Sequence, residues 1–205
     1  MMCIRTAILI FPDVEVLDFC GPFEVFSAVR FDEATRRHDP SPFEVFLVAE
    51  TAAPVVATGG LKVIPDHTFD TAPQADLLVV PGGWGTRSVV DNPRLVDWAR
   101  RQASGARQVM SVCTGAFILG VAGLLHGKRA TTHFASLDRL RETFPDVTVE
   151  YGARWVEDGV VTSAGISAGI DLALRVVAGL VGEPLARATA RHMEYPYPET
   201  PVRTT

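Results

Sequence analysis

Lysine is scarce in this chain. Lys62 and Lys128 are the only two in 205 residues, and the 19 basic residues are outnumbered by 24 acidic ones. A net charge of -5 leaves no basic footprint for a phosphate backbone, so nucleic acid is not an expected partner. The short pairs Arg36-Arg37 and Arg100-Arg101 read as solvated faces. Cysteine is rare too: Cys3, Cys20 and Cys113 form an odd set without paired spacing, which argues against a disulfide framework. Free thiols suit a reducing compartment, so a cytoplasmic location is expected. No apolar run approaches the roughly 20 residues that span a bilayer, and no membrane partner is expected. Residues 1–6 run straight into a strand without the look of a signal peptide. Repeats and linkers are missing as well. Residues 1–205 are therefore expected to form one domain, ending in a proline-rich tail from about Tyr195.

What is present is an alternation of short apolar strands and helical segments. Strands are predicted over residues 6–11, 43–48, 61–64, 75–80 and 108–112, and later over 147–149, 154–156 and 160–163. Glu157-Asp158-Gly159 reads as a hairpin turn. Helices are predicted from Gly21-Pro22 to Val29, from Pro93 to about Ala103, over 134–144, over 167–181 and from Pro184. Pro22 is placed near a first helical turn, where its missing N–H costs nothing. Strands alternating with helices predict an α/β fold with a mostly parallel sheet covered on both faces. Sites in such sheets form at the carboxyl ends of the strands. Asp18, Pro81-Gly82-Gly83 and Cys113 all fall at strand ends and are expected to converge.

Cys113 carries the chemistry. The apolar run Val109-Met110-Ser111-Val112 ends on it, and Thr114-Gly115-Ala116 opens a helix directly after it. That is the form of a strand–nucleophile–helix elbow. A thiol at a helix N-terminus meets free N–H groups that favour the thiolate. The Thr114 N–H is one candidate donor to developing negative charge, and the Gly82-Gly83 turn is expected to supply a second. Asp18 is placed at the helix entry, where a carboxyl can move a proton or simply cap the helix. His133 follows Ala130-Thr131-Thr132 near a strand end. It is read as a supporting group behind the site rather than as the base of a Cys–His pair. Gly82-Gly83-Trp84-Gly85 lacks the residues of a nucleotide P-loop. Cys113, His126 and His133 lack the spacing of a compact metal motif, so no metal is expected. Phe19, Phe23, Trp84 and Phe134 are candidates for an apolar wall, and Cys3 and Cys20 for packing.

Taken together, five segments resemble the ThiJ/PfpI superfamily. They are Leu17-Asp18-Phe19-Cys20-Gly21-Pro22, Val80-Pro81-Gly82-Gly83, Val112-Cys113-Thr114-Gly115-Ala116, Ala130-Thr131-Thr132-His133 and the run from Thr162 to Asp171. The aspartate with a Cys-Thr pair, and the tail Met193-Glu194-Tyr195, are similar to the isocyanide hydratase branch. The resemblance implies a flavodoxin-like sandwich, a homodimer, a small-molecule substrate and no dissociable cofactor. It implies hydration of an isocyanide to an N-substituted formamide, with Cys113 as nucleophile, Asp18 as general acid and base, and Gly83 and Thr114 lining the site. Protease-like branches carry a histidine directly after the cysteine, where this chain has Thr114. Glyoxalase-like and deglycase-like branches carry a glutamate where it has Asp18. The same motifs resemble the amino-terminal domain of AraC-type regulators, so a ligand sensor without DNA binding is one alternative, and a redox or aldehyde-stress (glyoxalase-like) or amidase/protease-like member is the other. The helix-turn-helix region of those proteins is not expected here, because the chain stops soon after its last helix.

Overall fold

The protein is described by a computed structural model over residues 3–200. The expectations touching residues 1–2 and 201–205, on a leader and the far end of the tail, lie outside the described residues.

The first half runs β1 (Ile4–Leu9), α1 (Val16–Ala28), β2 (Phe43–Ala49), β3 (Val55–Val56), β4 (Lys62–Val63), β5 (His67–Thr68), β6 (Leu77–Val80), α2 (Thr86–Val89) and α3 (Pro93–Gly105). The second half runs β7 (Gln108–Val112), α4 (Gly115–Val121), β8 (Arg129–Ala130), α5 (Leu137–Thr143), β9 (Thr148–Val149), β10 (Trp155–Asp158), β11 (Val160–Ser163), α6 (Ala168–Val181) and α7 (Glu183–His192). The central sheet has the order β10-β11-β7-β6-β1-β2-β5, and only the β10–β11 pair is antiparallel. Helices α1, α6 and α7 pack together, and α4 packs with α2 and α3. The result is the flavodoxin-like α/β sandwich the alternation predicts. Residues of β6 are buried throughout, which explains a continuous apolar run instead of an alternating one.

Chain direction across the sheet reverses at β1. From there β2 lies on one side and β6, then β7, on the other. The carboxyl ends of β1, β6 and β7 thus open onto a topological switch point, the usual place for a site in an open α/β sheet.

Three local expectations are corrected. Helix α1 begins at Val16, with Glu15 at the cap position, so Pro22 is inside the helix rather than in its first turn. A proline there leaves the Asp18 carbonyl without its amide partner four residues on. The stretch 134–144 is a short 3-10 turn, Phe134–Ser136, followed by α5, because Ser136 departs from helical backbone angles at φ -124°. Cys3 is exposed rather than packed, and its thiol donates to Glu44. Helix α3 behaves as its sequence requires. Pro93 occupies the first turn, and the Asn92 side chain accepts from the Arg94 and Leu95 N–H groups.

Candidate active site

Cys113 sits where β7 passes into α4, with φ +57°. A residue with a Cβ is uncommon in that left-handed region, and here two bonds hold it. Its N–H donates to the Ala164 carbonyl at 3.1 Å, and its carbonyl accepts from the Thr132 hydroxyl at 2.7 Å. The elbow packs tightly. A Cβ on Gly115 would meet the Val80 carbonyl oxygen at 2.1 Å and that of Pro81 at 2.8 Å. Both are backbone atoms that cannot swing aside, so Gly115→Ala is expected to cost about 3 kcal/mol or more. The urea unfolding midpoint measures this; an unchanged midpoint would mean the elbow is loosely packed.

Asp18 lies in the first turn of α1 and is fully buried. Its side chain does not cap the helix. Oδ2 instead accepts from the Gly82 N–H at 2.9 Å. Oδ1 has no hydrogen-bond partner among the described residues. The Cys113 thiol and the Ile166 N–H lie near enough to favour the anion weakly, yet neither completes a bond to Oδ1. Burial dominates and raises the Asp18 pKa to about 7, opposed by the Gly82 N–H. The thiol responds in the same direction. Burial first, and then the charge of Asp18, push Cys113 up to about 12, against the Thr114 N–H and hydroxyl. The sequence expectation of a favoured thiolate is therefore corrected for the resting site. A one-turn stretch of helix N–H groups does not outweigh desolvation beside a carboxylate. The pair titrates together, with the proton on sulfur whenever Asp18 is ionised.

The glycine turn has a different task from the expected one. The Gly82 N–H is taken by Asp18, and the Gly83 N–H donates to the Thr114 hydroxyl at 3.0 Å. Neither is free as a second oxyanion donor. Gly82 must lack a Cβ because one would meet the Thr114 N at 2.5 Å. Gly83, at φ +128°, lies in a region that suits glycine alone. The Thr114 hydroxyl also receives the Thr86 hydroxyl at 3.1 Å. These contacts lock the loops after β1, β6 and β7 to one another.

A cleft of about 230 Å³ opens over Cys113, and Gly83, Thr114 and His133 line it. His133 thus stands in the wall rather than behind the site. Its Nδ1 accepts from the Ala135 N–H, and it makes no hydrogen bond to Cys113 or Asp18. Trp84 lines the cleft, whereas Phe19 is in the core and Phe134 is exposed outside it. Sequence reading passed over Glu15, Arg87, Ser136 and Ile166 as lining residues. Ile166, at φ +56°, gave no sequence signal, since a β-branched residue is a poor candidate for that conformation. Arg87 follows Trp84 at helical spacing, which was a usable signal.

Chemically, the arrangement can hold one proton between a buried carboxyl and a thiol, beside a cleft sized for a small molecule. Among the described residues no group of three His, Cys, Asp or Glu side chains could hold a metal ion. No helix among them is long and apolar enough to cross a membrane.

Comparison with known proteins adds to this geometry. The DJ-1/PfpI family profile matches residues 4–179. An isonitrile hydratase of Pseudomonas putida is 39% identical over 195 residues, covering 95% of this chain and 79% of that protein. The HTH-type transcriptional regulator CdhR of Pseudomonas aeruginosa is 30% identical over 178 residues, covering 87% of this chain and 51% of the regulator. The solved structure of a ThiJ/PfpI family protein from Pseudomonas syringae superposes with a TM-score of 0.84 at 32% identity, covering 97% of this chain and 78% of that one. Drosophila melanogaster DJ-1beta shares the fold, with a TM-score of 0.81 at 20% identity over 96% of this chain and all of that one.

Proposed function

The chain belongs to the DJ-1/PfpI family, and from that premise we propose that it hydrates isonitriles (R–N≡C, the isocyanide group) to N-substituted formamides. One observation carries the reading. The buried Asp18 carboxyl stands beside the Cys113 thiol under a small cleft, in a chain similar over most of its length to an isonitrile hydratase.

The Asp18 carboxylate takes the thiol proton as sulfur bonds to the terminal isonitrile carbon. The same proton passes from Asp18 to that carbon, giving the thioimidate R–N=CH–S on Cys113. Asp18, again a carboxylate, removes a proton from water as the oxygen adds to the C=N carbon, and passes that proton to the nitrogen, giving R–NH–CH(OH)–S on Cys113. The C–S bond then breaks as Asp18 carries the hydroxyl proton of the adduct to sulfur, releasing R–NH–CHO and restoring the thiol. A pKa near 7 suits both directions of this relay. The Thr114 N–H faces the sulfur and supports it while it carries charge. Gly82 and Gly83 act by holding Asp18 and Thr114 in place. The homodimer, the small-molecule substrate and the cytoplasmic location expected from sequence belong to this reading.

The similarity to CdhR favours a second reading, a ligand sensor that binds in the same cleft without consuming its ligand. A single assay separates the two. With 4-nitrophenyl isonitrile, many formamide molecules per protein are expected, read by absorbance. Saturable binding with no formamide would transfer the cleft to a sensor.

A further inference from the structure

Among the described residues, two guanidinium groups beside the cleft make no ion pair, although Glu15 also lines it. Arg87, on α2, lines the Cys113 cleft and lies 4.3 Å from the centroid of the Trp84 ring. Arg139, on α5, lies 4.0 Å over the Phe117 ring. The two arginines share an adjoining hollow of about 200 Å³ with Thr86 and Phe117. Arg87 borders both spaces, so the hollow lies directly beside the cleft.

Several arginines elsewhere are neutralised, while exposed ones such as Arg37 and Arg101 face solvent unpaired among the described residues. Arg94, Arg129, Arg154 and Arg175 each sit on a carboxylate. Among the described residues neither Arg87 nor Arg139 has a hydrogen bond or an ion pair, and the Arg139 Nε is a buried donor without an acceptor. The two also sense each other, since burial and the charge of Arg87 both push the Arg139 pKa down. Like charges next to an unsatisfied buried donor are costly, and an anion set between them removes both costs. The aromatic faces hold the guanidinium planes and leave their N–H edges available.

We propose that Arg87 and Arg139 form an anion subsite beside the Cys113 cleft, which takes a carboxylate carried by the substrate. The isonitrile carbon would then lie at Cys113 and the carboxylate at the arginines. The substrate class rests on the hydratase reading; the anion subsite does not.

The test uses unreactive ligands. N-formylglycine and its neutral relative N-formylglycinamide are formamides of the product type, one with the carboxylate and one without. Calorimetric titration of the full chain is expected to show the carboxylate binding about tenfold more tightly. Arg87→Met is expected to bring that ratio to about one, and Arg139→Met likewise. Arg87 is exposed, so its variant carries the test even if Arg139→Met fails to fold. Equal affinities, undetectable carboxylate binding, or a preference surviving Arg87→Met would overturn the subsite. Isonitrile turnover, assayed on the same preparation, is a separate readout. Its absence alongside an intact carboxylate preference would sink the hydratase reading and leave the subsite standing.

Discussion

Cys113→Ala is expected to reduce formamide formation by about 10⁴-fold or more, because the scheme has no route around the carbon–sulfur bond. The substitution removes one atom from a site that is 6% exposed and leaves both backbone bonds of residue 113 in place. The protein should therefore stay folded, which near-unchanged circular dichroism would show. Cys113→Gly sharpens the point. Glycine takes φ +57° without a Cβ penalty, so this variant should be as inactive as Cys113→Ala yet about 1 kcal/mol more stable. Turnover by either variant would remove the covalent scheme. Equal stability of the two would show that the elbow stores no strain at this position.

Asp18→Asn is the second large effect. Turnover should fall by about 10² to 10⁴-fold, since the amide holds no proton to relay. Stability should move the other way, and the sign follows from linkage. The folded-state pKa of Asp18 is raised to about 7 from 3.8. Between those values the folded protein keeps a proton that the unfolded chain releases. Wild-type stability contributed by this residue is therefore greatest at acid pH, declines as pH rises from about 4 to about 7, and is constant beyond. Asparagine does not ionise and escapes the decline. Relative to wild type, the variant should gain on the order of a few kcal/mol between pH 4 and pH 8. Urea unfolding at the two pH values measures the difference. A stability change identical at both would mean that Asp18 ionises like an exposed carboxyl.

Much of this site was legible in the sequence because strand ends are. An apolar run ending in Cys113, another ending in Pro81-Gly82-Gly83, and Asp18 beyond the first strand place three groups at one end of a parallel sheet. What pattern cannot carry is how hydrogen bonds are shared once the groups meet. The glycine N–H groups read as spare donors until Asp18 and the Thr114 hydroxyl are seen to use them. The thiol reads as activated until its burial is known. Pro22 misled because tertiary packing tolerates a proline within α1 despite the lost hydrogen bond. His133 was placed behind the site because the short 3-10 turn that follows it carries too little periodicity to aim a side chain, and Arg87 was passed over although its spacing from Trp84 was readable.

The Gly82–Asp18 bond ties acid–base chemistry to strand register. β6 pairs Leu78 with Ala7 of β1 and with Val109 of β7, and the turn begins directly after Val80. A slip of one residue along β6 would bring Pro81, which carries no N–H, toward the place where Gly82 donates. A slip in that direction would thus not merely weaken the carboxyl's tether but remove it. Acid–base chemistry at this site therefore depends on sheet pairing as well as on residue identity: a chain slipped toward Pro81 would bury much the same core and still leave Asp18 without its donor.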